Sequence, residues 1–241
     1  MKLHSVGMSM IAVGLLLAAA VAQAATPSVG RASRITGEQS SSAQAPGGPL
    51  RKLGEGDSLF AGERIRTGAG TVLQIEFTDK SRFTLGPNTE FEVEQYFQAA
   101  GGGSGEEAFH SRIFKGAFRF VSGLIAKKKG SMRVVTAVAT IGVRGTHVEG
   151  EVSEHQEKDG RTVDASAKVA LLEPEGSDTS GAVVVENKFG SVVVDKPGYG
   201  TEIPDEKSPP SPVKRMQLRT IDNVLRVLRT PARTGGPARR P

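Results

Sequence analysis

"TVLQIEFTDKSRFTLGPNTEFEVEQYF" (residues 71–97) is the stretch whose reading decides the fold. Leu73, Ile75 and Phe77 alternate with Gln74, Glu76 and Thr78. Beyond Asp79-Lys80-Ser81, Phe83 and Leu85 alternate with Arg82 and Thr84. Beyond Gly86-Pro87-Asn88, Phe91 and Val93 alternate with Glu90, Glu92 and Glu94. Period-two alternation puts one set of side chains on a core and the other in water, so this stretch reads as three strands and two tight turns.

The same texture extends in both directions. "GRASRITG" (30–37) opens the body, and "SSSAQAPGGP" (40–49) reads as a polar surface loop. "GDSLFAGERIRTG" (56–68) has apolar residues between turn residues. Residues 98–108 read as a flexible loop, 109–125 as short strands, and "MRVVTAVAT" (132–140) as a strand. "SEHQEKDGRT" (153–162) reads as a charged loop. "AKVALLEP", "GAVVVENKFG" and "SVVVDKPG" (167–174, 181–190 and 191–198) are further strand candidates. Many short strands at close turn spacing predict an all-β body, with a sandwich and a β-solenoid both open as its arrangement.

The two ends differ from this body. Lys2, the 13-residue apolar run Met10–Ala22 and the Ala22-Gln23-Ala24 site form the pattern of a cleaved signal peptide. The run is shorter than the ~20 residues that span a bilayer. The expected division is therefore a signal peptide over 1–24, an all-β domain over 25–203, and a Pro-rich linker with a basic tail over 204–241. A periplasmic or secreted location follows as an expectation. Lys207–Pro241 holds nine Lys or Arg against Asp222, a net +8, whereas residues 25–206 carry 21 basic and 25 acidic residues, a net −4. "VKRMQLRTIDNVLRVLRT" (213–230) predicts a short helix. Met216, Ile221, Val224, Leu225 and Leu228 lie on one side, and Arg215, Arg219, Asp222, Arg226 and Arg229 on the other. The last eleven residues read as a disordered end. The four arginines are the candidate contacts of the tail with an anionic membrane surface. Export argues against nucleic acid as a natural target.

Candidate chemistry is sparse. The chain has no cysteine, which removes thiol nucleophiles, disulfides and thiolate-bound metals. His147 and Glu149 share one side of a strand, but with His155 they lack a fourth ligand at sensible spacing, so no metal or other cofactor is expected. The serines lack a nucleophile elbow, and no enzyme activity is expected. Asp79 and Asp57 read as turn residues that bond their own backbone. "ATIGVRGTHVEG" (139–150) has strand character on both sides and no helix start, so it does not read as a phosphate loop. Gly142 and Gly145 are expected to permit a bulge or close backbone approach within a strand. Gly142, Val143, Arg144, Gly145 and Thr146 are thus expected to be mainly architectural. If Arg144 points inward it needs a carboxylate or carbonyl partner.

"TAVATIGVRGTHVEGEV" (136–152) resembles the central motif of the FecR-domain family. Residues 54–96 resemble that family's opening half, "FKGAFRFVSG" (114–123) its middle segment, and "VALLEPEG" with "VVVENKFGSVVVDKPGYGT" its closing strands. The resemblance covers roughly residues 30–203. It implies an all-β fold with a solenoid-like part, outside the inner membrane. The family's best-understood members relay a signal from an outer-membrane receptor to a cytoplasmic sigma factor. This chain departs from them, with no cytoplasmic segment to hold a sigma factor and no membrane span expected. What remains is an exported, non-enzymatic binding or signalling module for an envelope protein or polymer. The alternatives are a self-associating structural protein of the envelope, or tail-mediated binding to anionic membrane.

Overall fold

A computed structural model describes residues 26–97, 107–127, 131–158, 161–173, 181–216 and 218. The strands are, in chain order, β1 (Gly30–Thr36), β2 (Ser41–Gln44), β3 (Leu50–Leu53), β4 (Ser58–Leu59), β5 (Arg64–Arg66), β6 (Val72–Phe77), β7 (Arg82–Leu85), β8 (Glu90–Phe97) and β9 (Ala108–Val121). After one helical turn, α1 (Leu124–Lys127), come β10 (Ser131–Val135), β11 (Thr140–Arg144), β12 (His147–Ser153), β13 (Gln156–Lys158), β14 (Arg161–Val163) and β15 (Ser166–Leu172). The chain closes with β16 (Ala182–Asn187), β17 (Gly190–Val194), β18 (Tyr199–Ile203) and β19 (Lys214–Arg215).

Two open sheets form from these strands. The first runs β4-β1-β6-β7-β9-β12-β15-β18-β19 and is antiparallel throughout. The second runs β3-β2-β5-β8-β9-β10-β11-β16-β17 and is antiparallel except for β9–β10. Stacked coils of a solenoid would pair in parallel, whereas here the two sheets join through β9 into one large, open and almost wholly antiparallel arrangement.

Strand β9 belongs to both layers. Residues 108–115 pair in the second sheet with β8 and β10, and residues 116–121 pair in the first with β7 and β12. The hand-over falls at Gly116, whose φ of 104° is in the region that favours glycine. A Cβ there would stand 2.5 Å from the Thr89 Cα.

The core lies between the layers. Phe77, Phe83, Phe118 and Phe120 enter from the first sheet, and Phe91 and Phe109 from the second, all fully buried. Phe83 and Phe91 meet across the gap with ring centres 4.9 Å apart, and Phe77 and Phe109 at 4.6 Å. These spacings suit offset and tilted ring contacts, which add to the burial of apolar area.

Four local expectations are corrected. Residues 41–44 are strand rather than surface loop, because Ser41 and Ala43 are small enough to face inward, fully buried. Residues 109–121 form part of one long strand, because Gly116 bends β9 instead of ending it. The charged stretch 153–162 holds β13 and most of β14, which pair antiparallel with each other. Lys214 and Arg215 are strand paired to Gly200 and Tyr199, not the start of a helix, because the open edge of β18 offers them backbone partners. The rest of the expected helix, apart from Val213, Met216 and Leu218, lies outside the described residues, as do the expected signal peptide over 1–24 and the expected disordered end. Among the described residues no helix is long and apolar enough to cross a membrane.

Candidate binding face

The signature residues sit where the chain leaves the second sheet for the first. On β11, Ile141 and Val143 enter the core while Gly142 and Arg144 face outward. Gly145 follows with φ 58°, the left-handed turn that carries the chain across to β12. Thr146 is buried, and its carbonyl accepts the Ser122 N–H at 3.2 Å. The Thr146 hydroxyl has no partner among the described residues.

The expected bulge at Gly142 is not there. Its register with Arg133 and Val184 is unbroken, and a Cβ would meet nothing nearer than 3.8 Å. The close approach lies opposite the motif, at Gly181, where a Cβ would stand 1.9 Å from the Arg144 carbonyl oxygen. Sequence reasoning missed Gly181. Its place just before the continuous β-branched run of Val183, Val184 and Val185 was the available signal.

Arg144 is exposed and makes no side-chain hydrogen bond or ion pair with the described residues. The inward, paired geometry considered from sequence is thereby corrected: outward parity on β11 turns it to solvent. Arg133 on β10, opposite Gly142, is also exposed and outward. In register the outer face reads His110, Arg133, Gly142, Val184, Val193. Burial, then the nearby Arg133 cation, holds the His110 imidazole below its ordinary value, with Glu94 opposing. Val193 is 55% exposed on the edge strand β17. This half of the face combines two bare guanidinium groups, a side-chain gap at Gly142 and a small apolar margin.

The other half of the same face is self-neutralised. Arg64 reaches Glu90 at 3.1 Å and Glu92 at 3.3 Å, Arg66 reaches Glu90 at 3.1 Å, and Arg112 reaches Glu94 at 2.6 Å. The Arg64 guanidinium also lies 3.8 Å from the centre of the Phe114 ring. A shallow cleft of about 340 Å³ opens here between Gln44, Pro46, Gly62 and Arg64. Its charged walls already have partners.

The remaining candidates are dispersed. Asp79 is fully buried in the β6–β7 turn. Its oxygens accept Ser81 N–H at 3.0 Å, Ser81 Oγ–H at 2.7 Å and Ile125 N–H at 3.4 Å. Asp57 accepts the Gly54 N–H at 2.8 Å in the β3–β4 turn. His147 and Glu149 are buried on the first sheet, whereas His155 is exposed beside Asp164 at 3.8 Å. Among the described residues, no group of three or more histidine and acidic side chains could hold a metal ion. Arg215 is exposed on β19, and Arg219, Arg226 and Arg229 lie outside the described residues.

Residues 63–173, from just before β5 to just beyond β15, match the family model described as FecR protein. That match is narrower than the resemblance over residues 30–203. No curated protein matches the chain. Two crystal structures of a "putative anti-sigma factor" from Parabacteroides distasonis ATCC 8503 are similar to it. One has a TM-score of 0.48 at 14% identity, covering 67% of this chain and 63% of that one. The other has a TM-score of 0.47 at 15% identity, covering 67% and 64%. The chain thus spans less than two thirds of the length of these structures.

Proposed function

We propose that this protein is an exported, non-enzymatic binding module of a signalling or regulatory system, and that it recognises an envelope protein or polymer through the β10–β11–β16 face. One observation carries the reading. Within the span that matches the FecR model, Arg144 and Arg133 stand exposed around Gly142 without partners among the described residues, while Arg64, Arg66 and Arg112 of the same sheet are neutralised. A guanidinium left bare beside an apolar margin suits a planar, hydrogen-bonding contact with an acidic partner.

The test is a crosslinked pull-down from envelope extract with the native chain and with Arg133→Glu/Arg144→Glu. A component held by the native chain and lost by the variant, at unchanged melting temperature, supports the reading. Equal capture by both, or none by either, removes this face as the recognition site. Fractionation of cells for the mature chain tests export.

A second reading is self-association through an open edge. Edge strand β17 carries exposed Val193, and the β16–β17 turn carries Phe189, 44% exposed. Light scattering over a concentration series decides it, since a strict monomer at high concentration excludes this role.

A further inference from the structure

The middle of the first sheet's outer face is closed to solvent. Phe83 and Leu85 on β7, Phe118 and Phe120 on β9, and Val148 and Val152 on β12 all point into the core. Alternation therefore turns Thr84, Arg119, His147 and Glu149 outward. Thr84 stands opposite Arg119, Arg119 opposite Glu149, and Glu149 opposite Ala170, in one row across four strands. Outward side chains of an antiparallel sheet ordinarily meet water. Here Thr84 is 5%, Glu149 3% and His147 4% exposed.

Part of the cover is the chain's own continuation. From β19 at the sheet edge it turns inward across the strands. Met216 lies against Gly200 of β18, and Leu218 sits on Ala170 of β15 and Ala117 of β9. The Leu218 N–H donates to Glu149 Oε1 on β12 at 3.3 Å. The path therefore heads from the edge towards β9 and β7. Thr84 lies two strands beyond β12, roughly 10 Å further on.

We propose that residues 219–230 continue this path and seat Ile221, Val224, Leu225 and Leu228 over Arg119 and Thr84, as a third layer on the first sheet. Twelve residues span about 18 Å at helical rise, enough to cover the row. The four apolar residues fall on one side of the helical period, and Arg219, Arg226 and Arg229 on the other, where they stay in water. Segment 174–180, "PEGSDTS", follows β15 in the chain but has no apolar stripe to offer. The basic segment is then bound within its own chain, and the second sheet is the face left for partners.

The test uses the absence of cysteine from the chain. In the full chain, Thr84→Cys supplies one thiol, and its rate of reaction with a maleimide reads access to the outer face. Adding Leu225→Asp and Leu228→Asp should speed labelling on the order of tenfold or more while circular dichroism and a cooperative melt stay unchanged. Equal rates overturn the proposal. Replacing residues 174–180 by glycine and serine should leave labelling slow. Fast labelling in that variant, with slow labelling in the aspartate pair, overturns it. If the aspartate pair fails to melt cooperatively, a second measurement decides. Thr84→Cys is combined in turn with Ile221→Cys, Val224→Cys, Leu225→Cys and Leu228→Cys. At least one pair should oxidise to an intramolecular disulfide, and failure of all four overturns the proposal.

Discussion

Gly181 is pressed against the backbone of Arg144: a Cβ on Gly181 would stand 1.9 Å from the Arg144 carbonyl oxygen and 2.6 Å from that of Gly145. The clash would be with main chain, which cannot swing aside as a side chain can. Gly181→Ala should therefore cost roughly 1–3 kcal/mol by overpacking. Gly142→Ala meets only ordinary contacts, and Arg144→Ala removes an exposed side chain, so each should lie within about 0.5 kcal/mol of the native chain. Urea denaturation of the three variants gives the order, and a large loss at Arg144 would return it to an architectural role.

Thr146 contributes a buried hydroxyl with no partner among the described residues. Replacing it by a methyl group of the same shape removes a desolvated polar atom and leaves no other group orphaned. Thr146→Val should be neutral or stabilising by up to about 1 kcal/mol. A melting temperature several degrees lower would reveal a hydrogen bond made through water.

The Asp79 turn ties β6–β7 to the start of α1. Ser81 N–H, Ser81 Oγ–H and Ile125 N–H all converge on its carboxylate, and Gly123 N–H donates to Ser81 Oγ at 3.0 Å. Asp79→Ala leaves buried donors without an acceptor and should cost on the order of 3 kcal/mol. Chemical denaturation measures it, and a loss under about 1 kcal/mol would mean the turn holds without its carboxylate.

His110 titrates below its ordinary value because it is half-buried and then because Arg133 is near. Arg133→Ala should move its midpoint up, and Glu94→Gln should move it down, since Glu94 favours the cation. In the unfolded chain the imidazole takes up its proton at higher pH than in the folded one. Its share of stability is therefore present above the ordinary histidine range and lost as pH falls through that range towards the folded midpoint. Imidazole proton resonances followed against pH report both shifts, and an unmoved midpoint in Arg133→Ala would place that guanidinium further away.

Glu202 sits below its ordinary value of 4.5, chiefly through its hydrogen bond with Lys214 and against a smaller effect of burial. A depressed carboxyl stabilises the fold above its unfolded value, and that contribution is lost as pH falls through the lower folded value. Lys214→Ala should flatten part of the acid side of the stability profile below about pH 4.5. Both side chains are largely solvated, 33% and 55% exposed, so the effect should be under about 1 kcal/mol and shrink with salt. Melting temperatures at pH 7 and pH 3, with and without salt, check this.

The body was legible where side chains alternate by type. Leu73, Ile75, Phe77, Phe83, Leu85, Phe91 and Val93 all face the core as their period requires. Legibility failed where size or backbone rather than polarity decided. Ser41 and Ala43 enter the core because they are small, which composition alone reads as loop. Gly116 bends a strand that its flanking residues would otherwise continue. For the candidate site, the motif around Arg144 was readable, but its exposure depends on which way β11 turns its odd and even positions. Gly181 became important only through a neighbour 37 residues away in the chain (181 − 144). Lys214 and Arg215 were drawn into a strand by an open edge that no local pattern announces.

Because β9 is the central strand of both layers, neither sheet can lose its middle while the other keeps its own. A break at Gly116 would remove the second sheet's partner for β8 and β10 and the first sheet's partner for β7 and β12 together. The molecule should therefore melt as one cooperative unit, in a single transition, and neither half should fold once excised. Any partner that tugged on β9 at one layer would be felt at the other without a hinge between them.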